Sequence, residues 1–176
     1  MKIAAFVDIS GGSGGGLQQT LGTINVLEKI KSDKYEIKFS SSSKFASNYF
    51  KSKGLESLFY NKNSFFNKLN LRLFKIRFFK KIFKFFNINN NFENFLHDNE
   101  IDLVFFVDQS HLSIFCENKN FIFNVWNLDH KKHSFFPEYT YQKFLSSEKI
   151  YEHASKRAFK IITDCKKTKL EFSERR

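Results

Sequence analysis

The sequence predicts an α/β fold, a parallel sheet with helices on both faces. Three observations predict it. Short, almost uninterrupted apolar runs recur at KIAAFVDI, IDLVFFVD and FIFNVW, the pattern of strands buried on both sides. Stretches with helical spacing of apolar residues separate these runs. The first run also passes through GGSGGG directly into such a stretch, which is how a βαβ unit opens.

Taken in order, residues 2–9 form the first strand, and the helix after the glycines repeats Leu17, Leu21, Ile24, Leu27 and Ile30 at helical spacing. YEIKFS, at 35–40, reads as a second strand. A helix over 44–53 follows, closed by Gly54, a residue that ends helices because it enters left-handed backbone freely. Residues 64–86 read as one long basic helix, stopped by the polar run NINNN. FENFLHDN is a short helix leading into the strand IDLVFFVD; the loop DQSHLSIFCENKN then leads to FIFNVW. After the polar loop NLDHKKHSFFPEY come a helix over 141–158, a strand over 160–163 and the first turns of one more helix. No linker and no internal repeat divides the chain, so a single domain over residues 1–176 is expected.

Composition sets limits on function. The 25 Phe, 24 Lys and 16 Asn against one Pro follow the codon bias of an AT-rich genome, so the Phe count carries no functional weight. The net charge of +11 does, because residues 57–92 contain eight cations and no acidic residue. A local basic segment points to a polyanionic surface. On a helical wheel Arg77, Lys80, Lys81 and Lys84 share one face, and Phe74, Phe78, Ile82 and Phe85, with Phe79 and Phe86, fill the opposite arc. That pattern fits an ordinary helix packed on the sheet or one lying on anionic lipid. No nucleic-acid-binding motif accompanies the charge, so no nucleic acid partner is expected. Cys116 and Cys165 are too few for a disulfide framework. No apolar run approaches the roughly 18 residues a membrane span needs. A cytoplasmic location is expected, with peripheral attachment to the inner face of the membrane.

Two polar loops are site candidates, because ligands of open α/β sheets bind outside the carboxyl ends of the strands. The glycine loop lets a ligand approach the backbone and places Gly14, Gly15 and Gly16 at a helix N-terminus suited to an anion. It is neither a dinucleotide fingerprint, since Leu17 takes the last glycine position, nor a P-loop, since no Gly-Lys-Ser/Thr is present. The second loop holds His130 and His133 in an HxxH pair beside Asp129 and Glu138. The wider spacing of a zinc site is missing, so no metal is expected, and proton transfer or phosphate contact suits a loop histidine better. His111 lies at another strand end and could meet the same crevice.

Three stretches in order resemble the N-terminal domain of family 4 (group 1) glycosyltransferases of the GT-B fold. KIAAFVDISGGSGGGLQQTL resembles their first strand and glycine loop, VWNLDHKKHSFFPEY their HDL…H…PE segment, and YEHASKRAFKIITDCKKTKLEF their A…A..II..S…K..L segment. This chain has Trp126-Asn127 where many members have His-Asp, and Asp164-Cys165 where a serine usually follows the strand. The resemblance implies one Rossmann-like half of a GT-B enzyme, transferring a sugar with retention from a nucleotide-diphospho-sugar to a glycan or lipid-linked acceptor, without metal or cofactor. It places His130 near the reacting carbon as the catalytic group, and Gly14, Gly15 and Gly16 near donor phosphate or acceptor. Asn127, Asp129 and His111 are expected as further substrate contacts. The family's donor-binding motifs are absent from these residues, so activity is expected only with a C-terminal donor domain, supplied in the same chain or by a separate subunit. The alternative is a non-catalytic peripheral membrane protein that uses the basic helix.

Overall fold

A computed structural model describes residues 1–11, 14–30, 32–132 and 140–173. Its strands are β1 (Lys2–Val7), β2 (Glu36–Ser41), β3 (Ser57–Phe59), β4 (Leu103–Phe106), β5 (Asn120–Val125) and β6 (Lys160–Thr163). They form one six-stranded sheet, parallel throughout, in the order β3-β2-β1-β4-β5-β6. This is the Rossmann-like order, in which the reversal between β1 and β4 opens a crevice at their carboxyl ends.

The helices described are α1 (Gly15–Lys29), α2 (Lys44–Ser52), α3 (Phe65–Lys75), α4 (Arg77–Phe85), α5 (Asn91–Asp98), α6 (Asp129–Lys132), α7 (Tyr141–Arg157) and α8 (Lys166–Ser173), with a 3-10 turn over His111–Phe115. Burial on both faces of the sheet explains why the strands read as continuous apolar runs. In β1, Ala4 and Phe6 join one core cluster with Phe92, Phe106, Phe121 and Phe123, while Ala5 and Val7 join another with Ile24, Phe39 and Phe50. Successive strand residues face opposite sides, so a strand covered on both must be apolar at every position. Ile24 of α1 and Phe50 of α2 cover one face; Leu96 of α5, Tyr151 and Ala154 of α7 and Phe172 of α8 cover the other. The predicted α/β class, with its parallel sheet and two helical layers, is the fold observed.

Three details differ from the sequence reading. Residues 64–86 are not one helix: α3 stops at Lys75, Ile76 takes an extended backbone (φ −81°, ψ 120°), and α4 starts at Arg77. The break lets Phe83 fold back and stack on Phe74, with ring centroids 4.4 Å apart and planes at 22°. Phe74 itself packs on the core, so aromatic burial takes the place of helix continuation. The three-residue β3 was not foreseen; it pairs with β2 over Ser57, Leu58 and Phe59 and is too short to show a periodicity. The loop after β4 also contains the 3-10 turn, capped by Ser110, whose side chain accepts from the Leu112 N–H.

Candidate ligand crevice at the carboxyl edge of the sheet

β1 and β4 end in the same five-residue pattern, Phe-Val-Asp-x-Ser, at residues 6–10 and 106–110. Phe6 and Phe106 are paired across the sheet, so the two patterns run on side by side into the crevice. Asp108 is buried, with 4% exposure. Its Oδ2 accepts hydrogen bonds from the backbone N–H groups of both Asp8 and Ile9, each at 2.7 Å. Burial, and then the charge of Asp8, push the Asp108 carboxyl up to about 7, against the opposing pull of those two N–H donors.

The Asp8 carboxylate is held from three sides. Ser110 donates to Oδ2 at 2.8 Å, Ser42 donates to Oδ1, and the Lys62 ammonium pairs with Oδ1. His111 stands at the same edge, where it lines a small cavity together with Asp8 and Lys62. Its Nε2 lies 2.6 Å from Ser146 Oγ on α7. Burial, followed by the charge of Lys75, holds its imidazole below the usual histidine range, which favours the neutral ring. The sequence reading missed Asp8, Asp108 and Lys62. The repeated Phe-Val-Asp-x-Ser was the signal that could have found the two carboxylates.

Of the predicted glycines, Gly14 has φ 114° and precedes α1, a backbone conformation that favours glycine. Side chains built at Gly14 and Gly15 would meet nothing within 4 Å. At Gly16 the space that was expected to admit a ligand is filled by Trp126: a Cβ there would lie 2.7 Å from Cζ3 of the indole. The Trp126 Nε1 is buried without a hydrogen-bond partner among the described residues.

The loop after β5 is braced rather than open. The Asn127 side chain accepts from the Asp129 N–H at 3.2 Å and so starts α6, and its carbonyl accepts from the Tyr151 hydroxyl at 3.1 Å. Asp129 is half-buried. His130 is 3% exposed; its Nε2 lies 2.6 Å from Glu148 Oε1, and its ring stacks on Tyr151 with centroids 5.3 Å apart. The polar edge of this ring is therefore engaged inside the fold. His133 and Glu138, the other members of the HxxH neighbourhood, lie outside the described residues. Among the described residues no three His, Cys, Asp or Glu side chains gather as metal ligands would.

The basic hairpin of α3 and α4 divides its apolar arc. Phe79, Ile82 and Phe83 are partly buried, whereas Phe78 and Phe85 are 67% and 81% exposed. Phe65 and Phe66 at the start of α3 are open as well. Lys81 is exposed, and the side chains of Arg77, Lys80 and Lys84 lie outside what is described. Among the described residues no helix is long and apolar enough to cross a membrane. Compared with protein-family models, with curated proteins and with solved structures, the chain matches none.

Proposed function

We propose that this chain is the acceptor-side domain of a retaining GT-B glycosyltransferase, which transfers a sugar from a nucleotide-diphospho-sugar to a glycan or lipid-linked acceptor. A donor-binding domain, in the same protein or in a partner subunit, completes the site. One observation carries the reading: the three stretches that resemble the family meet in space. Gly16 of the first packs on Trp126 of the second. Tyr151, which begins the third, donates to the Asn127 carbonyl and stacks on His130 of the second.

In this reading the open N–H groups at the start of α1, beside Gly14 and Gly15, face the charge that develops on the leaving diphosphate. Asn127, Asp129 and His111 supply polar contacts to sugar hydroxyls. His130 enters as a positioning residue, because Glu148 and Tyr151 hold it inside the fold. The test is a titration of isotope-labelled protein with UDP-, GDP- and ADP-sugars and with neutral glycans, followed by amide shifts. Shifts centred on Gly14, Gly15 and Asn127 at millimolar ligand support the reading. A full set of ligands that moves none of these amides ends it.

A second reading, peripheral attachment to an anionic membrane at its cytoplasmic face, is favoured by the open Phe78 and Phe85 on a helix whose sequence pattern groups Arg77, Lys80, Lys81 and Lys84. Cations at the headgroups with aromatic rings among the acyl chains is the arrangement of an interfacial helix. It is compatible with the first reading, since a lipid-linked acceptor lies in the same plane.

A further inference from the structure

The carboxyl edge of β1 and β4 opens into a cavity of about 260 Å³ lined by the charged side chains of Asp8, Lys62, Lys68, Arg72 and Lys75 and by the His111 imidazole. Three of the cations come from one helix: Lys68, Arg72 and Lys75 follow each other on α3 at spacings of four and three, hence on one face. Leu71, buried at 8% exposure, anchors that helix to the core. Of the four cations only Lys62 has a carboxylate partner among the described residues, and that partner is Asp8. Four cations therefore face one carboxylate, in a segment whose sequence holds no acidic residue between 57 and 92. A concave wall of one sign concentrates field on whatever enters it.

We propose that this cavity binds the phosphate group of a phosphate monoester, with Arg72, Lys68 and Lys75 on the phosphate oxygens and Asp8 accepting from a hydroxyl beside them, one of the ring hydroxyls in a sugar phosphate or the phosphate's own in a lipid phosphate. Arg72 can grip two phosphate oxygens at once, and the ammonium groups add charge without fixed geometry. Asp8 suits the hydroxyl, because Ser42, Ser110 and Lys62 already fix its carboxylate in place. The volume sets the size of the ligand. At about 260 Å³ it lies below the usual range for a whole small molecule, so it takes a phosphate and part of one ring rather than a nucleotide. A second cleft, of about 530 Å³, shares Lys75, His111 and Phe115 with the first and continues past Ser146 of α7. The remainder of a larger ester, sugar or lipid, runs into that cleft. Lys75 stands at the junction with its ammonium 5.7 Å from the Phe115 ring centroid.

The site stands on its own geometry and does not require sugar transfer. The test is calorimetric titration of the full chain with glucose, glucose 6-phosphate, inorganic phosphate and a short-chain isoprenyl phosphate. Glucose 6-phosphate or the isoprenyl phosphate should bind at least about tenfold more tightly than glucose. The Arg72→Gln/Lys75→Gln variant, altered at two exposed positions, should lose about tenfold of that affinity, and Lys34→Gln/Lys51→Gln should lose none. Preference for glucose 6-phosphate identifies a soluble ester and preference for the isoprenyl phosphate a lipid-borne one; either supports the site. Phosphate esters that bind no better than glucose, or an equal loss in both variants, overturn it. Phosphate-ester binding without any amide response to the nucleotide-sugars or the glycans would leave this site standing and remove the glycosyltransferase reading.

Discussion

Gly16 and Trp126 are in such close contact that a methyl group on the glycine would stand 2.7 Å from Cζ3 of the indole. The glycine loop and the loop after β5, more than a hundred residues apart in sequence, are fitted to each other at this point. Gly16→Ala should therefore destabilise the protein by about 1–3 kcal/mol through overpacking, although alanine favours a helix. Gly15→Ala meets no neighbour within 4 Å. It should stabilise the protein by about 0.5–1 kcal/mol. In a Trp126→Val background the Gly16→Ala change should reverse sign and become stabilising. Urea unfolding of the four variants checks this, and a Gly16→Ala cost that is the same with and without the indole refutes it.

The clamp between Asp108 and the end of β1 makes stability depend on pH. The carboxyl sits at about 7 in the folded protein against an ordinary value of 3.8. Between those values the unfolded chain has lost the proton and the folded one keeps it, so stability falls as pH rises through that window and levels off above it. Asp108→Asn retains an oxygen to accept from the Asp8 and Ile9 N–H groups and cannot ionise. It should abolish the slope and gain up to about 4 kcal/mol over the natural residue above pH 7, an order-of-magnitude ceiling. His111 acts in the opposite direction: its lowered pKa costs stability as pH falls below its ordinary 6.5. The Asp108→Asn protein should thus lose stability only on the acid side. Urea midpoints measured from pH 4.5 to 8 decide the matter, and parallel curves for the two proteins would contradict it.

What the sequence made legible, and what it hid, follows from the range of the interactions. β1, β4 and β5 could be read because burial on both faces demands an apolar residue at every step. β6 could be read from the short apolar run in KIIT and its place after a helix. β3 could not, since it has three residues and exists through pairing with β2. The break at Ile76 carries no glycine or proline to announce it; it accompanies the stacking of Phe83 on Phe74, a contact that no local pattern shows. The candidate crevice was visible only in part. Gly14 and His111 were placed at strand ends by local pattern, and both lie at the carboxyl edge. The role of Asp8 depends on Ser42, Lys62 and Ser110, contributed by segments 34, 54 and 102 residues away, and nothing local shows that convergence.

Phe78 and Phe85 support nothing in the core, being 67% and 81% exposed. The Phe78→Ser/Phe85→Ser variant should consequently keep its unfolding free energy within about 0.5–1 kcal/mol of the parent. If α4 rests on a membrane, flotation with vesicles containing phosphatidylglycerol should fall by about tenfold or more, because two aromatic side chains are each worth about 1.5–3 kcal/mol of burial. Binding that persists unchanged in the double variant, or that is equal on purely zwitterionic vesicles, counts against peripheral attachment through this helix.

His130 separates a structural part from a catalytic one. Its ring lies against Tyr151 and Phe144, at 5.3 and 5.5 Å between centroids, and its Nε2 meets Glu148 at 2.6 Å. His130→Ala removes this packing and leaves Glu148 with one partner fewer in a half-buried place; a loss of about 2–4 kcal/mol is expected. His130→Gln can still donate a hydrogen bond to Glu148, so it should lose less than half as much. If the ring only positions the turn over residues 127–132, His130→Gln should bind nucleotide-sugars and phosphate esters within about twofold of the parent, because no ligand touches it. A His130→Gln protein that unfolds like the parent yet loses about tenfold in ligand affinity would instead place the imidazole against the reacting sugar, and the turn would then have to open away from Glu148 for the substrate to enter.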